Sequence, residues 1–202
     1  MFEHGKRMKP GYDKMTANIA AVRTIPGRTK DGISSCRHPG CSEFETLSHV
    51  LGRCDKGQSL RILRHNNIRS MIADAVRATG KIVHEEVPCT AFVSSDRRID
   101  ILIIDPSSPK KGLILDPTVR WEQNTKEGNA SAEEKKSHSQ KVDEEKRKYY
   151  MDCVPDLKKS YGLEEIEIKG LLIGARGTIF KFFEEVQKLL GLPKDLSKKS
   201  HT

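Results

Sequence analysis

Four metal-binding side chains crowd into residues 36–54, where Cys36, Cys41, His49 and Cys54 form the pattern C-x4-C-x7-H-x4-C. Three thiolates and one imidazole fill a tetrahedral zinc shell and leave no position for solvent. The spacing therefore predicts a structural zinc site and not a catalytic one. A segment this short folds around an ion without needing a core of its own. Gly40 before Cys41 and Gly52 before Cys54 ease the tight turns of such a knuckle. His38 is a rival ligand, and Pro39 beside it favours His49. Cys89 and Cys153 bring the cysteines to five, an odd number that leaves one thiol over in any disulfide framework. Thiols in a reducing compartment are metal ligands or packed core residues. The alternative to zinc is four unrelated buried side chains.

At 202 residues, the chain has room for one domain beside this knuckle. No run approaches the roughly eighteen apolar residues of a membrane span. The basic start, Met1 to Lys14, lacks the apolar stretch of a secretory signal. The net charge of +8 points to an anionic partner, nucleic acid first. Residues 1–35 read as a basic arm, with one helical stretch bearing Met15, Ile19 and Val22. Residues 36–57 are the knuckle, 58–193 a larger domain and 194–202 a basic tail.

Within the larger domain the apolar periodicity predicts a helix over 58–79, with Ile68, Met71, Ile72, Ala75 and Val76 on one side and Gly80 as its stop. Three β-like runs follow at 81–87, 97–105 and 112–120. Residues 124–140 are polar and lead into a helix over 141–154. A buried strand is expected at 164–173, a turn at 174–177, and an amphipathic helix carrying Ile179, Phe182, Phe183, Val186, Leu189 and Leu190. This order gives an α/β fold, a mixed central sheet flanked by helices.

Two aspartates mark the second and third runs, RRIDILIID and GLILDPTVR. In an antiparallel hairpin centred on Ser108, Leu102 faces Ile114 and Asp100 faces Asp116. Directly opposed side chains have Cβ atoms about 4.5–5.5 Å apart. Two carboxylates at that distance repel unless a cation lies between them, and aspartate is a poor strand former. A hard divalent ion, magnesium or manganese, is the natural occupant. Asp100 is expected on the face of Leu102 and Ile104. The alternative is a pair of ordinary strand-end residues.

Lys146 falls on the inward face of the 141–154 helix, with Val142, Tyr149, Tyr150 and Cys153. It either snorkels or supplies charge next to a carboxylate–metal site, where phosphodiester hydrolysis needs it. Arg97, Arg98 and Arg120 flank the aspartates and suit phosphate contacts, or simply solvation. Arg176 lies in a turn whose N–H groups either receive a phosphate or only close the chain. Glu85 or Glu86 is a further candidate to complete a metal site. Trp121 reads as a core residue.

Taken in order, these features resemble the restriction-like endonuclease domain of early-branching, site-specific non-LTR retrotransposons, over residues 30–190. The marks are the Cys36, Cys41, His49, Cys54 knuckle, then Arg64-His65-Asn66, Arg98-Ile99-Asp100, the run Asp116 to Glu122, Lys146 with Tyr150, and Ile173 to Gly177. The resemblance implies a nuclease of the PD-(D/E)XK type. Asp100 and Asp116 would hold the divalent ion. Lys146 would be the catalytic lysine, displaced onto a helix, because Thr118 stands two residues after the second acid. Tyr150, ahead of its neighbour Tyr149, would be the tyrosine that accompanies that lysine, and Arg64 and His65 would contact DNA. It further implies target DNA and element RNA as partners, a reverse transcriptase domain in the parent polyprotein, and a nuclear location.

Three departures stand out. Ile99 replaces the proline usual before the first aspartate. Pro117 follows the second and removes a ladder hydrogen bond. The 202 residues hold no reverse transcriptase and no sequence-reading fingers: a whole protein would have lost them, and in a piece of a longer one they lie elsewhere, with residues 1–30 expected to be the stub of an upstream connection. The alternative function is a catalytically weak nucleic-acid-binding module.

Overall fold

The computed structural model describes residues 22–24, 33–90, 96–121, 137–178 and 181–192. The helical stretch expected around Met15 and Ile19, the polar segment 124–136 and the tail 194–202 lie outside them. The chain forms two compact units, Met1–Ile62 and Leu63–Thr202.

The first unit is built by turns. An antiparallel bridge joins Ser35 to Phe44, and the Cys36 amide donates to the Glu43 carbonyl at 2.8 Å. Between them, the Cys41 amide donates to the His38 carbonyl at 3.1 Å. Gly40 makes this turn possible at φ +74°, where a Cβ would be strained. A π-helical turn, His49–Arg53, and a 3-10 turn, Asp55–Gly57, follow. Glu45 is fully buried here. Its carboxylate accepts from the Arg37 side chain at 2.6 and 2.9 Å, from the Arg37 amide at 2.8 Å and from the Arg23 amide at 3.1 Å. These bonds tie residues 22–24 to the knuckle. Burial opposes the charge of Glu45, yet the Arg37 bonds hold it below the usual carboxylate range.

The second unit is a four-stranded mixed sheet between helices. Helix α1 spans Gln58–Arg77 and ends in a turn at Gly80, φ +83°. Strands β1 (Ile82–Thr90), β2 (Asp96–Ile104) and β3 (Lys111–Arg120) form an antiparallel meander. Helix α2 (His138–Tyr150) starts in a capping box, with Ser137 and Gln140 bonding reciprocally. After the 3-10 turn Met151–Cys153 comes α3 (Val154–Tyr161), then β4 (Glu165–Gly174) and α4 (Lys181–Leu190). The sheet order is β1-β2-β3-β4, and β4 runs parallel to β3. This is the α/β architecture expected.

Three differences from the expected elements have local causes. Strand β1 continues through Pro88, because it is a sheet edge and one N–H faces away from the ladder. Helix α3 is additional: Pro155 reads as a breaker but sits in a first turn, where its missing N–H costs nothing. Tyr149 is 46% exposed, whereas Val142, Tyr150 and Cys153 are buried. Consecutive helical residues point about 100° apart, so the two tyrosines cannot share the centre of one face.

Each sheet face has its own core. On one side Ile72, Ala73 and Val76 of α1 and Phe183, Val186 and Leu190 of α4 pack on Ile101, Ile103, Leu115 and Leu171. On the other, Tyr150, Cys153 and Leu157 pack on Ile99, Leu102, Ile104 and Ile114. Strand residues alternate faces, yet Ile99 shares a core with Leu102 and not with Ile101. Val83 and Val87 are likewise on opposite sides. Both strands therefore change phase at one place. It is where Glu86 takes φ +52°, and the pairing steps from Glu85↔Ile101 to Val87↔Ile99. Asp100 and Glu86 lie at that break. The simple alternation that put Asp100 on the face of Leu102 and Ile104 does not hold there.

Candidate functional site

The four side chains expected to hold zinc converge in the first unit. The ligand atoms of Cys36, Cys41, His49 and Cys54 all lie within 4.8 Å of one another. Cys36 Sγ is 3.8 Å from Cys54 Sγ, which is 4.0 Å from Cys41 Sγ. Cys41 Sγ is 3.3 Å from His49 Nε2. A tetrahedral zinc with bonds of about 2.3 Å holds its sulfurs roughly 3.8 Å apart, so the cage fits that ion. His49 joins the group and His38 does not. Two contacts brace the cage from outside: the His49 amide donates to Thr46 Oγ1 at 3.1 Å, and Arg61 donates to the Cys54 carbonyl. The Cys/His cluster could hold zinc.

In the second unit the hairpin register is the expected one, with Leu102 opposite Ile114 and Ile101 opposite Leu115. The ladder ends there, one pair short of Asp100 and Asp116. Next along β3 is Pro117, which has no N–H to donate. From Asp116 onward β3 pairs only with β4.

Asp116 is 2% exposed. Lys146 Nζ lies 2.9 Å from its Oδ2, and the Tyr150 hydroxyl donates to the same oxygen at 2.7 Å. Thr118 Oγ1 donates to Oδ1 at 2.9 Å. The Tyr150 hydroxyl is also 3.3 Å from the Arg98 carbonyl, which ties α2 to β2. Burial, then the Asp116 charge, push the Tyr150 phenol well above its ordinary value and keep it a donor.

Asp100 is held from α1. His65 Nε2 lies 3.3 Å from its Oδ2. That hydrogen bond raises the His65 pKa against the opposing effect of burial, and the charge of Asp116 adds to the rise. The Asp100 charge likewise contributes at Tyr150. The two carboxylates thus act on the same surroundings, one approached by α1 and the other by α2.

The arginines differ in what they meet. Arg98 is exposed and donates to Glu86 at 2.9 Å. Arg120 bonds Glu145 at 2.5 Å, which holds that acid below its ordinary range. Arg97 turns inward: it donates to the Tyr149 carbonyl and lies 4.4 Å over the Tyr149 ring. Arg64 is half-buried on α1. Arg176 lies 5.2 Å from the centre of the half-buried Trp121 ring. In its turn the amides of Gly174, Ala175 and Gly177 are used on Thr178, Arg120 and Gly174 carbonyls. Glu85 and Glu86 are bound by Arg69, with Arg77 on Glu85.

Two residues carry the site without any mark in the sequence. Gly170 of β4 pairs with Asp116, and its amide donates to the buried Asp143 Oδ1 at 2.9 Å. Asp143 also binds Arg147 at 2.7 Å. Helix α2 is thereby pinned to β4 where Lys146 reaches Asp116. Asp143 reads as one more charge on a polar helix, and Gly170 as a weak strand residue.

No family model matches the chain. The chain is similar to parts of proteins named retrovirus-related Pol polyprotein from type-1 retrotransposable element R2. With one from Popillia japonica it is 36% identical over 118 residues, 58% of this chain and 16% of that protein. With a second from Popillia japonica it is 25% identical over 165 residues, 82% of this chain and 31% of the other. With one from Nasonia vitripennis it is 30% identical over 95 residues, 47% of this chain and 9% of the other. The chain spans less than a third of the length of these curated relatives, and what it resembles in each is a region of an R2 Pol polyprotein.

Proposed function

We propose that this chain carries a metal-dependent DNA endonuclease domain of the PD-(D/E)XK type, derived from an R2-like element, that nicks target DNA to prime reverse transcription. One observation carries the reading. The buried Asp116 is bonded at once by Lys146 and Tyr150, at the sheet end where the neighbouring strand brings Asp100. The meander followed by a parallel fourth strand supports the same fold type.

Asp100 and Asp116 offer hard oxygen donors from adjacent strands, which fit magnesium or manganese. When bound, the ion supplies Lewis acidity and lowers the pKa of water. The chain's own groups do the rest. Thr118 and Tyr150 orient the two oxygens of Asp116. His65 orients Asp100. The ammonium of Lys146 offsets negative charge developing on the phosphorus oxygens and positions water. Arg98 and Arg120, although bonded to Glu86 and Glu145, would add positive charge near flanking phosphates. The zinc knuckle has a structural role. The proposed partners are target DNA, element RNA and a reverse transcriptase domain of the parent polyprotein, in the nucleus.

A supercoiled-plasmid nicking assay with magnesium or manganese tests this. Asp116→Ala and Lys146→Ala should each lower nicking at least about 100-fold, with circular dichroism confirming that both fold. Parent-level cutting by Asp116→Ala would sink the reading.

A further inference from the structure

Tyr149 has no place in the chemistry above, yet it is exposed and at the same time packed against its neighbours. It is 46% exposed. Its ring packs against that of Tyr150, with centroids 4.9 Å apart and planes at 80°. The Arg97 guanidinium lies 4.4 Å over the ring and also donates to the Tyr149 carbonyl. Arg97 is anchored further by Asp152 at 3.8 Å. Lys146 Nζ is 5.9 Å from the same ring centre.

An exposed tyrosine on a helix end ordinarily swings freely. This one is held against Tyr150 and under Arg97, so ordering a partner against it costs little side-chain entropy. Its position is the informative part. One ammonium, that of Lys146, stands 2.9 Å from Asp116 Oδ2 and 5.9 Å from the Tyr149 ring. Whatever stacks on Tyr149 therefore lies immediately beside the phosphate that Asp116 and Lys146 would engage.

We infer that Tyr149 is a stacking platform for a nucleobase of the DNA strand being cut, one step from the scissile phosphate. The inference rests on the nuclease reading for the identity of the strand. Stacking on an aromatic ring requires a free base face, and in a duplex both faces are covered by neighbours. The bound base is accordingly unstacked, and the site favours DNA that is single-stranded or opened at the cut over closed duplex. Arg97 holds one face of the ring, and the base takes the opposite face.

The test is binding of oligodeoxynucleotides carrying 2-aminopurine, single-stranded and duplex, to the zinc-loaded 202-residue chain, with calcium as the only added divalent ion. The parent should bind the single strand and quench its fluorescence. Tyr149→Ala should weaken that binding about 5- to 100-fold and abolish the quench. Tyr149→Phe should keep both within about twofold of the parent, because the ring and not the hydroxyl is used. Duplex binding should be the same in all three. Thermal melting establishes that Tyr149→Ala is folded, and Tyr149→Phe serves as the conservative check. Unchanged single-strand binding by Tyr149→Ala, an equal loss on duplex, or a loss in Tyr149→Phe as large as in Tyr149→Ala would overturn the inference. Cleavage is not measured, so a chain that fails to nick plasmid but shows this pattern refutes the nuclease reading and leaves the stacking site standing.

Discussion

A Cβ placed on Gly170 would lie 2.8 Å from Lys146 Cγ and 2.8 Å from the Val142 carbonyl oxygen. Helix α2 can come this close to β4 because the residue paired with Asp116 has no side chain. The same approach brings Lys146 Nζ to 2.9 Å from Asp116 Oδ2. Gly170→Ala should push α2 outward, at a cost of about 1–3 kcal/mol in stability. Nicking should fall further than that loss explains, because Lys146 is displaced. Urea unfolding beside plasmid nicking checks this; a variant of normal stability and normal activity would refute the close-approach argument.

Tyr150→Phe removes one donor from a carboxylate that is almost wholly buried. Hydrogen bonds to charged groups contribute about 1.5–3 kcal/mol, so the unfolding midpoint in urea should fall by a corresponding amount. Tyr149→Phe removes a hydroxyl from an exposed ring and should leave stability within about 0.5 kcal/mol of the parent.

Chelation should distinguish the two classes of cysteine. With zinc bound, Cys36, Cys41 and Cys54 are occupied as ligands, and Ellman's reagent should find them slow. Stripping the metal should make those three reactive and unfold the knuckle. Cys89 and Cys153 are buried in the second unit. Burial, with Cys153 beside it, pushes the Cys89 thiol up to about 12, so it carries almost no thiolate at neutral pH. Rapid modification of Cys89 in the folded chain would contradict this arrangement.

Glu85 connects strand β1 to helix α1 through Arg69 at 3.2 Å, Ser70 at 3.3 Å and Arg77 at 2.7 Å. Burial alone would raise its pKa, but the Arg77 and Arg69 bonds outweigh burial and hold it below the usual range. A carboxyl depressed in the fold adds stability above its unfolded value of about 4.3. That contribution is lost as pH falls through the folded value. Melting temperatures of the parent and Glu85→Gln should therefore differ most at neutral pH and converge below about pH 4. A gap that widens on acidification would show that the sign is wrong.

Part of the candidate site's geometry is legible one residue at a time. The Cys/His cluster is visible because knuckle spacing is local and thiolates are rare. The hairpin register was visible because a short turn centred on Ser108 leaves little freedom. Lys146 stood out because a lysine breaks an apolar helical face. The phase change at Glu86 and Asp100 was hidden, since alternation holds only for unbroken strands. The true surroundings of Arg97 were hidden as well: its guanidinium is captured by Tyr149, 52 positions along the chain, and not left for phosphate.

Residue type and periodicity are enough to establish a Cys/His cluster ahead of an α/β sheet, because both follow from neighbours in the chain. The meeting of Asp116 with Lys146 and Tyr150, of Asp100 with His65, and of Gly170 with α2 depends on which elements stack across the sheet. Those contacts arise from packing between distant segments, where a missing Cβ on one strand sets how near a helix on another layer can come.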